Sequence, residues 1–304
     1  MNIYDMLATD KQTLKTLQTD IDNQYLSYPI AKKKGKAIRW IDAPQPELKT
    51  FQEAFLNSFL YKFTVHPCCV GFVRGKNVAS GAKQHLGSKQ LLNMDFQNFF
   101  GAIHIGKVRQ LVKFLFSRYK KITDNVFTFT SYDVELFAAL LTFKSRLPQG
   151  APTSPAISNL CTLPLDKELA ALAAQSDCIY TRYADDLSFS TKQEKAVFDV
   201  KDLIKPVSKK ITRAQLTVNY KKTRVQRPHN RMTVTGVVVN EKLSTPKWYW
   251  RNFRAKLHNL QMSQVPVTPE EYQEIRGTAE WIKMLHPIRG QQFLNTIGKL
   301  NLML

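Results

Sequence analysis

The feature that most constrains this chain is a pair of adjacent aspartates inside a strand–turn–strand pattern. Asp185 and Asp186 stand in Tyr183-Ala184-Asp185-Asp186, with β-branched, aromatic and other apolar residues on both sides over residues 179–190. Such residues favour strands, so the segment predicts a β-hairpin with both carboxylates at its tip. Adjacent carboxylates on rigid strands repel each other unless a cation lies between them or water separates them. The hairpin therefore indicates a divalent-cation site, and the other interpretation is a solvated Asp-Asp turn.

A second acidic position strengthens the cation hypothesis. Asp95 ends the apolar stretch of residues 90–94, and this stretch reads as a buried strand. If that strand lies beside the hairpin, Asp95 and Asp185 can share two magnesium ions about 3.5–4 Å apart, the geometry of in-line phosphoryl or nucleotidyl transfer. Because side chains alternate along a strand, Asp185 and Asp186 are not expected to bind equally. We expect Asp95 and Asp185 to be the primary ligands and Asp186 a secondary one.

Between these acids lies a loop that is stiff by composition. Residues 146–155 contain three prolines, and Gly150 permits close approach of another backbone. Ser154 and Pro155 suit the N-cap and first residue of a helix, which we expect to be kinked near Pro164. Beside a metal site such a loop suits holding a nucleotide or base pair, although alone it is equally well read as a plain connection.

Helical and strand patterns interleave along the rest of the chain. Because the strands are separated by unequal helical insertions, and one pair is joined by a tight turn, we expect an α+β fold with an antiparallel sheet. The predicted helices are residues 48–63, 107–119 and 134–143 and the region after 242, and the predicted strands are residues 89–96, 179–190, 216–219 and 233–240.

Charge and the lack of export signals narrow the class of protein. The chain carries 44 lysines and arginines against 24 acidic residues, a net charge of +20, which makes nucleic acid the first candidate partner. The N-terminus does not resemble a signal peptide, and the most apolar window is far shorter than the roughly 20 residues of a membrane span. Four cysteines without CxxC spacing indicate reduced thiols. We therefore expect a soluble cytoplasmic protein with no membrane partner.

Taken in order, these motifs resemble the reverse transcriptases and, within them, the bacterial retron type. The resemblance covers roughly residues 37–250, and five motifs in one order make it specific. The motifs are Arg39-Trp40-Ile41-Asp42-Ala43-Pro44, similar to the fingers motif; Asp95 with Phe99-Phe100, similar to the first acidic motif; residues 147–155, similar to the LPQGxPxSP loop; Tyr183-Ala184-Asp185-Asp186, similar to the YADD box; and Leu216-Thr217-Val218-Asn219 with Lys221-Lys222-Thr223, similar to the late palm motif.

The resemblance implies roles for individual residues. Asp95, Asp185 and Asp186 would be the catalytic triad and would bind two Mg²⁺ ions, with the backbone carbonyl of Phe96 as a further ligand. The nucleotide-binding residues would be Arg39 on the triphosphate, Phe100 under the deoxyribose where it excludes a 2′-hydroxyl, Gln149 against the incoming nucleotide, and Lys222 near the departing pyrophosphate. For Lys222 a plain solvated lysine is the alternative.

Two further segments are similar to the retron type. Val234-Thr235-Gly236 matches a VTG signature, and residues 81–85 resemble Asn-Ala-x-x-His, with Gly81 in the place of the asparagine. His85 is then either an RNA contact or a structural hydrogen-bonding residue. The cations and rings of residues 247–251 either stack on bases or pack inward. The residues expected to bind RNA are His85, Val234, Thr235, Gly236, Lys247, Trp248, Arg251 and Arg254.

The implied architecture is a right-hand polymerase with fingers, a palm of antiparallel sheet plus helices, and a short helical thumb. The expected divisions are residues 1–90 for the N-terminal part of the fingers, 91–104 for the palm with the first acidic motif, 105–147 for a helical fingers/palm insertion, 148–240 for the palm with the YADD hairpin, and 241–304 for an RNA-binding thumb. In 304 residues this leaves no room for a ribonuclease H, maturase or endonuclease domain, so RNA removal is expected to fall to the host ribonuclease H.

The resemblance implies an RNA-directed DNA polymerase, a nucleotidyltransferase that uses deoxynucleoside triphosphates. A cognate structured non-coding RNA would serve as template and primer, and synthesis from a guanosine 2′-hydroxyl would give branched, RNA-linked multicopy single-stranded DNA. The resemblance also suggests anti-phage defence with a separate effector or toxin protein. The alternatives are a reverse transcriptase of an abortive-infection or diversity-generating system, and a non-catalytic RNA-binding scaffold that restrains a toxin.

Overall fold

The computed structural model describes residues 2–31, 38–124, 126–195, 197–263 and 266–300. Parts of the predicted fingers and thumb, residues 32–37, 264–265 and 301–304, lie outside the described residues. The helices are α1 (Ile3–Met6), α2 (Lys11–Thr19), α3 (Pro46–Ser58), α4 (Val78–Gln84), α5 (Ile105–Ile122), α6 (Ser131–Leu140), α7 (Ser154–Cys161), α8 (Leu163–Ala174), α9 (Ile204–Arg213), α10 (Lys247–Ser263), α11 (Pro269–Leu285) and α12 (Pro287–Ile297). The strands are β1 (Tyr25–Ala31), β2 (Ile38–Pro44), β3 (Gln90–Asp95), β4 (Ile179–Tyr183), β5 (Asp186–Thr191), β6 (Arg224–Gln226), β7 (Thr233–Val234) and β8 (Val237–Val238).

A four-stranded antiparallel sheet forms the centre of the molecule. Its strand order is β4-β5-β3-β6, so the hairpin strand β5 lies beside β3. All six residues of β3 are buried, and β5 and β6 pair with its two edges. The predicted α+β class with an antiparallel sheet is confirmed. Two smaller sheets, β1-β2 and β7-β8, lie outside this centre.

Three predicted helices correspond to α3, α5 and α6, but the helix after the proline-rich loop differs from its prediction. Instead of one kinked helix, α7 ends at Cys161 and α8 begins at Leu163. The break lies where Pro164, which has no N–H to donate, stands in the first turn of α8. Ser154 is the first helical residue and Thr153 holds the cap position without a side-chain hydrogen bond, so the expectation of Ser154 as N-cap is wrong.

Two strand predictions are also corrected. Residues 216–219 form no strand; the backbone makes one bridge, between Phe96 and Val218, before it turns into a short 3₁₀ helix at Tyr220–Lys222. The valine-rich residues 233–240 form a hairpin instead of one strand, because Thr235 and Gly236 take φ of 46° and 83° and reverse the chain. The hairpin β1-β2 was not predicted. Most of its residues are exposed or only partly buried, so neither strand has the alternation of buried and exposed residues that marks a strand in a sequence.

Separate groups of buried apolar residues hold the fold together. The largest extends from α1 to Val218 and contains a set of mutually packed phenylalanines between α3, α5 and α6. A second group, from Phe253 to Ile297, lies within α10, α11 and α12. A third joins α4, β3 and the β7-β8 hairpin to Leu285 of α11. The last three helices thus have a core of their own, and the β7-β8 hairpin connects it to the sheet. Among the described residues no helix is both long and apolar enough to cross a membrane.

Candidate active site

The YADD motif forms the predicted hairpin tip. Tyr183 pairs with Asp186, so Ala184 and Asp185 are the two turn residues between β4 and β5. Ala184 has a φ of 53°, a left-handed conformation that is unfavourable for a residue with a side chain. Gly71 lies directly against the tip, because a Cβ at that position would be 2.7 Å from the Ala184 nitrogen. The turn is therefore closely packed from one side.

The sheet register brings the three predicted carboxylates to one end of the sheet. Asp95 at the end of β3 is the partner of Asp186 at the start of β5. The Phe96 N–H donates to the backbone oxygen of Asp185 over 3.0 Å, which fixes the turn relative to β3. All three aspartates line one cleft of about 800 Å³, within the usual size of a small-molecule site.

The two hairpin carboxylates lie in an environment that disfavours their negative charge. Burial, followed by the charge of Asp95, raises the pKa of Asp185. Burial, followed by the charges of Asp185 and Asp95, raises the pKa of Asp186 to about 6. Crowded carboxylates of this kind are stabilised by a bound cation. The donors are oxygen atoms, which fits a hard divalent ion such as Mg²⁺.

Asp95 is held by residues of the late palm motif. Lys222 Nζ lies 2.7 Å from one carboxylate oxygen, and Asn219 Nδ2 donates to the other over 3.2 Å. Partial burial disfavours the ammonium, but the hydrogen bond and charge of Asp95 raise the pKa of Lys222. In the described part of the chain, no three Asp, Glu, His or Cys side chains are gathered into a ready metal cluster. Lys222, which is more than half exposed, is the cation that now neutralises Asp95.

The residues predicted to bind nucleotide all line the same cleft. Its walls include Arg39, Phe100, Gln149 and Lys222. The proline-rich loop is docked on β2, since the Asp42 N–H donates to the Gln149 carbonyl over 2.9 Å. Gly150 makes this docking possible: its φ is 144°, and a Cβ there would be 2.7 Å from the Asp42 oxygen. The individual roles of these residues remain predictions.

One aromatic residue of the cleft was missed by the sequence reasoning. Phe72 follows Gly71, has a φ of 58° and is 43% exposed. Its ring centroid lies 5.9 Å from that of Tyr183 and 6.4 Å from that of Phe100. The available signal was an aromatic residue placed between a glycine and a basic segment, which is too common a pattern to single out.

The expectation that His85 contacts RNA is wrong. His85 is fully buried, and its two ring nitrogens lie 2.7 Å from the hydroxyl oxygens of Ser190 and Thr181. Burial lowers its pKa to about 4, so the ring is neutral. Gly81 fits the same packing, because a Cβ there would be 2.7 Å from a methyl carbon of Val70 and an asparagine side chain would have no room. The structural interpretation of His85 is the one that holds.

The VTG residues divide between core and surface. The Val234 side chain is buried among the residues that join the β7-β8 hairpin to α4 and α11, so its expected contact with RNA is wrong. Thr235 and Gly236 form the turn and line a neighbouring cavity of about 540 Å³ with Asp95 and Asp186. Of these three residues, only Thr235 and Gly236 in the turn are accessible to a nucleic acid.

The predicted RNA-binding residues of the thumb lie on α10, outside the cleft. Lys247, Trp248, Arg251 and Arg254 are exposed, and their spacing places the three cations on one face of the helix. Trp250 behaves differently from Trp248: it is half-buried, and the Arg289 guanidinium lies 3.9 Å from its ring centroid. Trp250 therefore packs inward, and stacking of the exposed Trp248 on bases stays a prediction.

Comparisons with known proteins agree with this geometry. The family model described as reverse transcriptase (RNA-dependent DNA polymerase) matches residues 30–239. The retron Mx162 reverse transcriptase of Myxococcus xanthus is 32% identical over 93% of this chain and 62% of its own length. The retron Ec86 reverse transcriptase of Escherichia coli is 30% identical over 98% of this chain and 89% of its own length. The chain thus spans less than two thirds of the first relative and most of the second.

A solved structure supports the fold alone. The telomerase of Candida tropicalis, in complex with a TWJ fragment of telomeric RNA, has a TM-score of 0.52 at 13% identity, over 95% of this chain and 58% of that one. The right-hand arrangement of an antiparallel palm sheet with surrounding helices is consistent with this likeness. From the family match over most of its length and from these relatives, the chain belongs to the reverse transcriptase family and, within it, to the retron type.

Proposed function

We propose that this protein copies a cognate structured non-coding RNA into DNA, starting from the 2′-hydroxyl of a guanosine in that RNA. The product would be branched, RNA-linked multicopy single-stranded DNA. The observation that carries the proposal is the meeting of Asp95, Asp185 and Asp186 at one end of the sheet, facing a cleft of nucleotide size. Membership of the retron type supports the choice of a dedicated RNA as template.

The three carboxylates and the Phe96 carbonyl would hold two Mg²⁺ ions. Bound there, such ions would activate the attacking hydroxyl and neutralise charge on the pyrophosphate. The protein itself supplies positioning, because the register of β3 against β5 fixes Asp95 relative to the hairpin. The hydroxyl attacks the α-phosphorus of a deoxynucleoside triphosphate, and pyrophosphate leaves.

The cleft residues would orient the nucleotide. Arg39 is exposed on β2, where its guanidinium can make paired hydrogen bonds to a triphosphate. Phe100 would lie under the deoxyribose and exclude a 2′-hydroxyl, and Gln149 would contact the nucleotide from the docked loop. Lys222 is a flexible ammonium that can move from Asp95 to the departing pyrophosphate.

We extend the proposal to the cell on family membership alone. A host ribonuclease H would remove template RNA, and a separate effector or toxin protein would act with the complex in anti-phage defence in the bacterial cytoplasm. The protein itself would supply the polymerase activity and would bind the RNA.

The test is the Asp185→Asn variant, with Asp22→Asn as the control. Asp22 is exposed and distant in sequence from the site, and the change removes the same charge. Both variants and the unaltered protein are purified with their bound nucleic acid, and magnesium-dependent DNA synthesis is measured. We expect Asp185→Asn to lose DNA synthesis by at least about a thousandfold and to keep its RNA, with Asp22→Asn unchanged. Unchanged synthesis in Asp185→Asn would refute the carboxylate site.

The bound product separates the proposed reaction from its rivals. After ribonuclease and debranching treatment, the nucleic acid from the unaltered protein is sequenced. A short DNA released from a 2′,5′ linkage to RNA is the expected product. DNA synthesis on supplied RNA without branched DNA would favour an abortive-infection or diversity-generating enzyme, and RNA without any DNA would favour the scaffold.

A further inference from the structure

The hairpin tip is supported from beneath by a charged side chain that no motif assignment uses. Arg182 is on β4, directly before the YADD motif, and it is the largest side chain of the described residues that is fully buried. Burying a guanidinium costs several kcal/mol or more unless the charge is paired and its N–H groups are bonded. The molecule therefore has to contain partners that offset this cost, and their positions indicate what the residue does.

The charge of Arg182 is balanced by one carboxylate. Arg182 Nε and Nη2 donate to the two oxygens of Asp166 over 2.8 Å and 2.7 Å, a paired geometry that only a guanidinium can make. Asp166 is fully buried in α8 and also accepts a 3.0 Å hydrogen bond from the Tyr180 hydroxyl. These bonds anchor β4 to α8, and they would serve a purely structural role.

The remaining nitrogen of Arg182 points to the catalytic turn. Arg182 Nη1 donates to the Ala184 carbonyl over 3.1 Å and to the side-chain oxygen of Asn159 over 3.1 Å. Asn159 in turn donates to the carbonyl of Gly71, the glycine packed against the tip. The guanidinium thus connects α7, the Gly71 segment and the turn, and pairing with Asp166 alone would not require these contacts.

The contact to Ala184 completes the support of the Asp185 backbone. The peptide before Asp185 is held through the Ala184 oxygen by Arg182, and the peptide after it through the Asp185 oxygen by the Phe96 N–H. Ala184 is in a left-handed conformation that costs about 1 kcal/mol or more for a residue with a side chain. A turn of this kind keeps a single shape only if its surroundings hold it.

We propose that Arg182 is a positioning residue for nucleotidyl transfer: by holding the Ala184 carbonyl, with Asn159 aligning its Nη1, it sets the direction of the Asp185 carboxylate. This inference rests on the proposed function. It assigns to Arg182 no contact with substrate, since the side chain is fully buried and does not line the cleft.

The test compares Arg182→Lys with Tyr180→Phe. Both remove a hydrogen bond to Asp166, but only Arg182→Lys removes the donor to Ala184, because an ammonium cannot bond Asp166 with a fork and reach the turn as well. Steady-state incorporation gives kcat and the KM for deoxynucleotide, calorimetry gives Mn²⁺ binding, and thermal unfolding gives stability. We expect Arg182→Lys to lower kcat by roughly 10- to 100-fold and to weaken Mn²⁺ binding, with KM within about threefold. Tyr180→Phe, which removes a single hydrogen bond from the same network, should lose less stability and leave kcat unchanged.

Equal kcat in Arg182→Lys and Tyr180→Phe would overturn the proposal, since the network would then be structural only. If Arg182→Lys does not fold, Asn159→Ala supplies the test, because it leaves the pair with Asp166 intact. A several-fold lower kcat with near-normal stability supports the proposal, and unchanged kcat overturns it. If the unaltered protein makes no DNA at all, the proposed function fails; if it makes DNA and these variants do so equally well, only the positioning role fails.

Discussion

At the residue scale, His85 contributes to stability in a way that depends on pH. Its pKa is about 4 in the folded protein, against 6.5 for an unperturbed histidine, because burial disfavours the charged ring. Between these two values the unfolded chain binds a proton that the folded protein does not, so stability falls as the pH falls from about 6.5 to about 4. The expected loss is about 3 kcal/mol of the free energy of unfolding.

The check is urea unfolding of the unaltered protein and His85→Gln at several pH values between 4 and 7. Glutamine does not titrate, and the carboxylates common to both proteins cancel in the difference. The unaltered protein should lose about 3 kcal/mol more than the variant on acidification. Parallel curves would show that His85 is not the titrating group.

Some functional residues can be recognised from the sequence alone, and others only from the structure. Asp95, Asp185 and Asp186 can be singled out from the sequence because Asp95 ends a strand pattern and the other two lie at the tip of a strand–turn–strand pattern. The sequence leaves an RNA contact open for His85 because the type of a residue does not reveal whether it is buried. The burial of His85 follows from its packing against β4 and β5, more than 90 residues away along the chain. Arg182 was missed for the same reason, since its partner Asp166 lies on a helix whose position only the fold defines.

At the scale of elements, replacing either of two glycines in α11 and α12 by alanine should change stability in opposite directions. Gly290 lies where α12 crosses α11, and a Cβ there would be 2.2 Å from the Lys283 Cα. Gly290→Ala should therefore force the helices apart and destabilise the protein by about 1–3 kcal/mol. Gly277 on α11 has open space around it, and Gly277→Ala should stabilise by roughly 0.5–1 kcal/mol through helix propensity.

Thermal unfolding followed by circular dichroism measures both effects under the same conditions. The melting temperature should fall for Gly290→Ala and rise slightly for Gly277→Ala. Equal melting temperatures would mean that the α11–α12 crossing is looser than these contacts indicate.

Helices and strands were predictable from the sequence where one pattern of apolar residues continues along a long segment. Helices α3, α5 and α6 carry clear apolar stripes, and β3 and the YADD hairpin carry runs of strand-forming residues. The errors fall on short segments whose shape depends on a few backbone angles or on a partner. Residues 233–240 look like one strand until Thr235 and Gly236 turn the chain, and residues 216–219 lack a strand because the backbone leaves β3 after a single bridge.

At the scale of the whole molecule, the net charge of +20 is unevenly distributed. Residues 192–231 contain twelve basic and three acidic residues and directly follow the catalytic hairpin. Several of these cations are already engaged: Lys222 with Asp95, Lys210 with Glu168, and Arg227 with Asp199. Lys205 and Lys209 are exposed on α9 and make no ion pair within the described ranges. The composition predicts a polyanionic partner. The structure distinguishes the cations that are already in ion pairs from those, such as Lys205 and Lys209, that could contact its phosphates.

This distribution predicts how RNA binding responds to salt and to charge reversal. Each phosphate contact contributes about 0.7–0.9 to the slope of log affinity against log salt. The double variant Lys205→Glu with Lys209→Glu should therefore weaken RNA binding by at least about tenfold at moderate salt and reduce the slope by roughly 1.4–1.8. The control, Lys113→Glu with Lys121→Glu, changes the net charge equally on the exposed side of α5. Filter binding at four salt concentrations measures both, and an equal loss of affinity in the two double variants would mean that total charge, not the α9 face, holds the RNA.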